Sequence, residues 1–219
     1  MSRTRLFRAA VALVLTVAVS ALSPSQRGAA LALTGESTAA LKAQLLRTAA
    51  GTSNGVRADA RTAATVAAIA DELERRVDDK IGFPPLDGAH DLVFCDSSGA
   101  SSGKIGPFVG DVTQVFQNEV AFVNAVKLGP LEIALAAERK PIDARRYRVA
   151  FREMTFSLFG VDLFTKPTKG GGEWKVRYCD EDLRVMAVPS LFVLARRKTA
   201  AVGLVDVLRD PARFLEDDD

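Results

Sequence analysis

Arg146-Tyr147-Arg148-Val149-Ala150-Phe151-Arg152 sets Tyr147, Val149 and Phe151 against Arg146, Arg148 and Arg152 in strict alternation. Successive side chains of an extended backbone leave opposite faces, so a period of two predicts a strand buried on one face, here running from Arg146 to Leu158. The same reading extends in both directions. Downstream, Gly170-Gly171-Gly172 predicts a turn, after which Trp174, Val176 and Tyr178 alternate with Lys175 and Arg177. Leu183 to Val188 and Leu191 to Ala195 then form a pair of strands about Pro189-Ser190. Upstream, strands are expected at His90 to Cys95, Val112 to Phe116, Glu119 to Leu128 and Leu131 to Glu138, with Asp96 to Gly110 a Ser/Gly-rich loop. Roughly seven to nine short strands without helices between them predict an antiparallel sheet closed into a barrel or stacked as a sandwich.

Ahead of the strands the period is helical. Ser37 to Ala50 places Leu41, Leu45 and Leu46 on one side and stops at Gly51, a residue suited to the left-handed position after a helix. Asn54-Gly55 turns the chain. From Arg57 to Val77, the residues Val66, Ile69, Ala70, Leu73 and Val77 fall on one face, with Asp71, Glu72, Glu74, Arg75 and Arg76 opposite. Mixed charges on that polar face favour packing on a protein core over lying on a membrane. Pro84-Pro85 closes the helical part. The expected organisation is a leader over 1–35, a helical segment over 36–83, a barrel over 84–197 and an acidic tail over 198–219.

The leader has its own signature. Arg3, Arg5 and Arg8 precede an uncharged apolar run from Ala9 to Ala18, followed by Val19-Ser20-Ala21, the form of a secretory signal peptide. The run is shorter than the roughly 20 residues that span a bilayer. Leu22 to Gly35, rich in Ala and Ser and without an acid, has the composition of a plastid transit peptide; a linker at the start of a secreted domain would look similar. The chain carries 29 Lys+Arg and 27 Asp+Glu, and residues 1–35 hold four of the basic residues and none of the acidic, leaving 25 against 27, a net of −2. A domain of that charge has no electrostatic hold on a phosphate backbone, which argues against nucleic acid as a partner.

Chemistry-bearing patterns are sparse. Any Ser/His/Asp triad must use His90, the only histidine, which is expected at the surface or rim of a strand start. Gly99, Gly103, Gly106 and Gly110 lack the Gly-Lys-Ser/Thr order of a phosphate loop. Asp180-Glu181-Asp182 on a strand would point to alternate faces rather than at one metal ion, and a turn with Arg184 paired to Asp180 or Asp182 is the expected arrangement. Cys95 and Cys179 lack metal-ligand spacing; both are expected at strands, as buried thiols more readily than as a bridge. No catalytic set, cofactor or metal is expected.

Trp174-Lys-Val-Arg-Tyr-Cys-Asp-Glu-Asp-Leu-Arg-Val, followed by Leu191-Phe-Val-Leu-Ala-Arg196, closely resembles the C-terminal signature of the plastid lipid-associated protein/fibrillin (plastoglobulin) family. That signature is a tryptophan, a Tyr-x-Asp-x-Asp-Leu-Arg-Ile run and a closing Phe-Val-Leu strand. Asp180, Asp182, Leu183 and Arg184 carry the specific part. Leu45-Leu46-Arg-Thr-Ala-Ala-Gly51-Thr52 with Gly55 is similar to the family's helix end, and Leu86-Asp-Gly88 with Leu92-Val-Phe-Cys-Asp-Ser-Ser98 to its first strand. Gln114 through Val126, and Arg148-Val-Ala-Phe151, fit the middle strands. The likeness runs from about Leu41 to Arg196. Asn54 stands where the family has Arg, the first-strand tryptophan is missing near His90-Asp91, and the turn over Ala187 to Ser190 is shorter than the family's.

The resemblance implies a mainly β fold, an antiparallel lipocalin-like β-barrel preceded by two helices. It further implies residence in a plastid at plastoglobules, thylakoids or stroma, and association with isoprenoids or other lipids without catalysis. Apolar burial is worth roughly 0.8 kcal/mol per methylene, enough to hold a prenylquinone, carotenoid or fatty acid in a barrel. Phe94, Phe122, Val149, Phe151, Trp174 and Tyr178 are the expected wall residues of such a cavity, although the same side chains would also fill a solid barrel. Two further readings stand beside it. One is an adaptor for a plastid isoprenoid-biosynthetic enzyme, the other a lipid-modifying barrel enzyme using Tyr178 and Asp180. A peripheral membrane or lipid-droplet surface is the expected place of work.

Overall fold

The computed structural model describes residues 33–78, 86–97 and 99–197; the proposed leader up to residue 32, Pro84-Pro85 and the tail from residue 198 lie outside them. The chain divides after Leu41 into two compact units. Ser37 caps helix α1 (Thr38–Ala49), its Oγ accepting from the Ala40 N–H at 3.1 Å. Gly51 follows with φ +74°, the left-handed stop expected from the sequence. Helix α2 (Ala60–Arg75) starts at Asp59, whose carboxylate accepts from the Thr62 N–H at 2.7 Å. Between the helices the Asn54 carbonyl accepts from the Cys95 N–H, tying the interhelical turn to the first strand.

The strands are β1 (Gly88–Cys95), β2 (Lys104–Ile105), β3 (Phe108–Val109), β4 (Asp111–Phe116), β5 (Ala121–Leu128), β6 (Leu131–Pro141), β7 (Arg146–Leu158), β8 (Val161–Pro167), β9 (Gly171–Cys179), β10 (Leu183–Val188) and β11 (Ser190–Arg196). Nine of them form one antiparallel sheet in the order β6-β5-β4-β1-β11-β10-β9-β7-β8. A further ladder joins β6 to β7, so eight strands pair on both sides and the sheet returns on itself. Closure is uneven. β7 spans 13 residues: its first part pairs with β9 and its second with β8, which has no other neighbour. The β6–β7–β8 portion therefore extends beyond the start of β9 as a flap. β2 and β3 form a small separate hairpin inside the segment expected to be a loop.

Alternation fixes which residues face inward. Val112, Phe116, Phe122, Ala137, Val149, Trp174, Val176, Met186 and Leu194 form a single buried cluster with Leu92, Cys95 and Cys179. On β10 and β11 the opposite face is buried as well, with Leu183, Val185 and Val193 fully enclosed. The helices supply apolar residues of the same depth, Leu45, Val66, Ile69 and Leu73. Glu74 of α2 accepts from Lys175 Nζ and Arg177 Nε of β9, both at 2.6 Å, which seats the helix on the outer side of that strand.

Candidate ligand-binding interior

Chain direction sorts the strand ends and turns between the two ends of the barrel. Antiparallel pairing places the starts of β1, β5, β7 and β10 at one end, with the β9–β10 turn. It places the β2–β3, β5–β6, β7–β8 and β10–β11 turns at the other. At the first end Leu86, just ahead of β1, is buried in the interior cluster, and Tyr147, at the start of β7, is half-buried against it. At the second end the inward residues Val126, Phe151, Val188 and Phe192 are only half-buried against that cluster, forming an apolar lip.

The flap continues this lip. Register pairs Ile133 with Phe156, Leu135 with Met154 and Phe156 with Phe164, so these side chains share the face that leads into the interior. Phe156 and Phe164 stack at 4.5 Å, with Phe164 53% exposed. The other face is polar: Thr155 hydrogen-bonds Thr165 at 2.9 Å and Ser157 donates to Asp162 at 2.7 Å. At the flap tip Phe159 is 80% exposed, and Val161, Leu163 and, on the β2–β3 hairpin, Phe108 are exposed as well. Apolar residues gathered at one end of a molecule are the mark of an interaction surface, whereas single scattered ones are not.

Of the six expected wall residues, Phe122, Val149, Phe151 and Trp174 come together in the interior cluster. Phe122 packs on Trp174 with ring centroids 5.1 Å apart. Phe94 and Tyr178 do not join them, for one physical reason. Register slips by a residue between Leu92 and Phe94, so Phe94 pairs with Val193 on the outer face while Cys95 takes the inward position. A second slip between Val185 and Met186 pairs Tyr178 with Val185, also outside, and turns Cys179 inward opposite Arg184. A bulge of one residue reverses every later side chain. Cys95 and Cys179 are free and buried, and burial pushes the pKa of both thiols up.

The residues that carry the sequence resemblance split between the two faces. The Asp180 carboxylate accepts from the Asp182 and Leu183 N–H groups at 2.9 Å, from Tyr178 Oη at 2.6 Å and from Lys42 Nζ at 2.7 Å. It thus closes the β9–β10 turn and ties it to α1. Although burial opposes ionisation, these donors hold its pKa below the ordinary carboxylate value. Tyr178, expected to serve in any lipid-modifying reaction, is spent on that turn, and burial with Asp180 raises its pKa. Arg184 pairs with neither Asp180 nor Asp182. It points inward and is fully buried, Nη1 donating to Gln114 Oε1 at 3.0 Å and Nη2 to the Leu86 carbonyl.

His90 is likewise inside rather than at the rim, with no exposed surface and Nδ1 3.3 Å from Arg184 Nη2. Burial, and then the Arg184 charge, push its pKa down to about 3. Arg139, 5% exposed, lies over the Phe116 ring at 4.5 Å and donates to the Asn118 carbonyl at 2.9 Å; Arg184 lies over the same ring at 4.3 Å. Gln114 passes the network on to Asn124 at 3.0 Å. The alternation of β6 places Arg139 on the Ala137 side, a signal present in the sequence. Among the described residues no group of His, Cys, Asp and Glu could hold a metal ion, and no helix is long and apolar enough to cross a membrane.

No family model matches the chain, and neither a curated protein nor a solved structure does.

Proposed function

We propose that the chain is a lipid-binding protein of the fibrillin type, a lipocalin-like barrel that takes up an apolar lipid without turning it over. The observation that carries this reading is the succession of apolar residues from the interior cluster, over the half-buried lip of Val126, Phe151, Val188 and Phe192, onto the flap face of Phe156 and Phe164, where Lys166 lies over the Phe156 ring at 5.4 Å. A solid barrel in water gains nothing from leaving such a face uncovered. A barrel that exchanges its contents with a lipid phase needs one. Prenylquinones, carotenoids and fatty acids share the required apolar chain. The sequence resemblance and the leader composition support residence in a plastid reached by the secretory route, at a plastoglobule or thylakoid surface.

Flotation of the full chain with lipid vesicles and with quinone-loaded emulsions tests the reading, with lipids extracted from the purified protein as a second readout. The chain should float and carry lipid, and a double Phe159→Glu, Phe164→Glu variant, altered only at exposed positions, should stay with the soluble fraction. If the wild-type chain neither floats nor carries any apolar molecule, the reading is wrong, and the flap becomes a contact for a protein such as an isoprenoid-biosynthetic enzyme. Residues 1–35 fused to a fluorescent protein should reach the plastid; export to the medium would exclude that compartment.

A further inference from the structure

The interior holds two cations without an ion-paired acid among the described residues; Asp87 and Glu119, beyond ion-pair distance, lend Arg139 some favourable charge. Arg139 and Arg184 are both more than nine-tenths buried, and among the described residues neither has a carboxylate within ion-pair distance. Their partners are neutral: the Gln114 amide oxygen, the carbonyls of Leu86 and Asn118, the Cys179 thiol, the Tyr147 hydroxyl, the His90 ring, and the faces of Phe116 and Tyr147. Elsewhere the cations find acids: Lys42 with Asp180, Arg152 with Glu138, Arg177 with Glu74. Carboxylates are thus available to this chain, and the barrel interior goes without them.

Among the described residues three buried nitrogens also lack a hydrogen-bond partner, namely Arg139 Nε and Arg184 Nε on the Phe116 ring and Nε2 of His90 beside Arg184. A buried charge is tolerated when paired and hydrogen-bonded, and a guanidinium fork matches the two oxygens of a carboxylate. Both guanidiniums lie against one ring and each feels the other's charge, so an anion admitted beside them is attracted by both.

We propose that Arg139 and Arg184 receive the carboxylate of an amphipathic lipid, a long-chain fatty acid or acidic isoprenoid, whose chain runs out over the lip. The inference rests on the lipid-binding reading above and narrows it to an acidic ligand. The geometry along the barrel fits. Phe116 lies at the end where Leu86 is buried, and Val112, four residues back on the same face beyond Gln114, lies about 13 Å nearer the lip. A chain of a fatty acid's length covers that distance and reaches the half-buried lip. His90 stays neutral across the physiological range, so the pocket's charge there comes from the two guanidiniums.

Oleate, oleyl alcohol and methyl oleate have the same chain and differ in the head group, so their binding to the full chain separates the two claims. Titration calorimetry should give at least tenfold tighter binding of oleate than of either neutral lipid. Arg139→Gln, with folding checked by circular dichroism, should remove that preference and leave the alcohol unchanged. A measurement on the wild-type protein avoids reliance on any variant: the carboxyl carbon of labelled oleate, followed by NMR, should stay ionised to a lower pH when bound than when free. Equal binding of all three lipids would overturn the acidic-ligand proposal and leave the lipid-binding reading intact. An oleate preference that survives Arg139→Gln, or a bound carboxyl titrating at or above its free value, would also overturn it. Binding of none of the three would remove both.

Discussion

Enclosed beside the Arg184 guanidinium, the His90 ring is held neutral and its pKa is pushed down to about 3. An unfolded chain protonates the same ring near 6.5. Between those values the unfolded state binds a proton that the folded state refuses, so stability falls as the pH drops, by at most about 1.4 kcal/mol per unit. Glu132, whose pKa burial raises, works in the opposite sense and offsets part of the loss. His90 is the only histidine, so the loss between pH 6.5 and 5 belongs to it. Guanidinium unfolding midpoints at pH 7 and pH 5 should differ markedly for the wild-type chain and much less for His90→Gln. An equal drop in both would assign the acid sensitivity to carboxylates. Neither His90 nor Arg184 was legible as an interior residue. Leu183, Arg184, Val185 and Met186 sit on a strand buried on both faces, so polarity does not mark which side is which, and only the pairing with β9 and β11 decides it.

At the scale of the elements, the two helices and the strands around Arg146-Phe151 could be read directly, since their apolar periods are unbroken. The bulges at Leu92/Phe94 and Val185/Met186 could not, because no glycine or proline marks either position; they misplace Phe94 and Tyr178. β8 was missed for a different reason: all seven of its residues are exposed, so it carries no buried face for alternation to reveal. Gly170-Gly171-Gly172 reads as a turn in the sequence, yet β9 begins at Gly171, paired with Ala150 of β7. A Cβ on Gly171 would stand 2.0 Å from the Val149 carbonyl oxygen, and its φ of +142° is one that side chains rarely adopt. Gly172 has open space around that position. Gly171→Ala should therefore cost on the order of 1–3 kcal/mol in thermal or denaturant unfolding, and Gly172→Ala a small fraction of that. Similar losses for both would mean that backbone freedom in general, and not the close approach to β7, is what these glycines supply. The helix contact is testable on the same scale. Glu74 faces Lys175 and Arg177, with Arg145 3.9 Å away, so Glu74→Gln removes an acid that three cations share, while Arg177 keeps its pair with Asp71. It should destabilise the chain by about 1–2 kcal/mol, an effect that shrinks in high salt.

Across the whole molecule, closure depends on joining the first long strand to the last. β1 and β11, about 100 residues apart in the chain, pair over their length, and β11 is also the partner of β10. A sheet closed on itself has no free edges, and taking out one strand creates two. Removing β11 would open the edges of β1 and β10 together and strip both cores at once. Leu194 fills the interior beside Leu92 and Met186, while Val193, on the other face, is fully buried with Leu183 and Val185. No local repacking replaces a strand that serves two layers. A chain ending at Pro189 should therefore show no cooperative denaturant transition, with Trp174, the only tryptophan and buried in the interior, emitting as if in water. A chain ending at Arg197 retains every barrel strand and should unfold cooperatively near the wild-type midpoint. Hydrogen exchange adds an internal check, because the β1–β11–β10 ladders should open only with global unfolding, whereas β8, held on one side alone, should exchange first. Cooperative unfolding of the chain cut at Pro189 would show that the ring is not the unit of stability, and that the β4–β7 strands fold without closure.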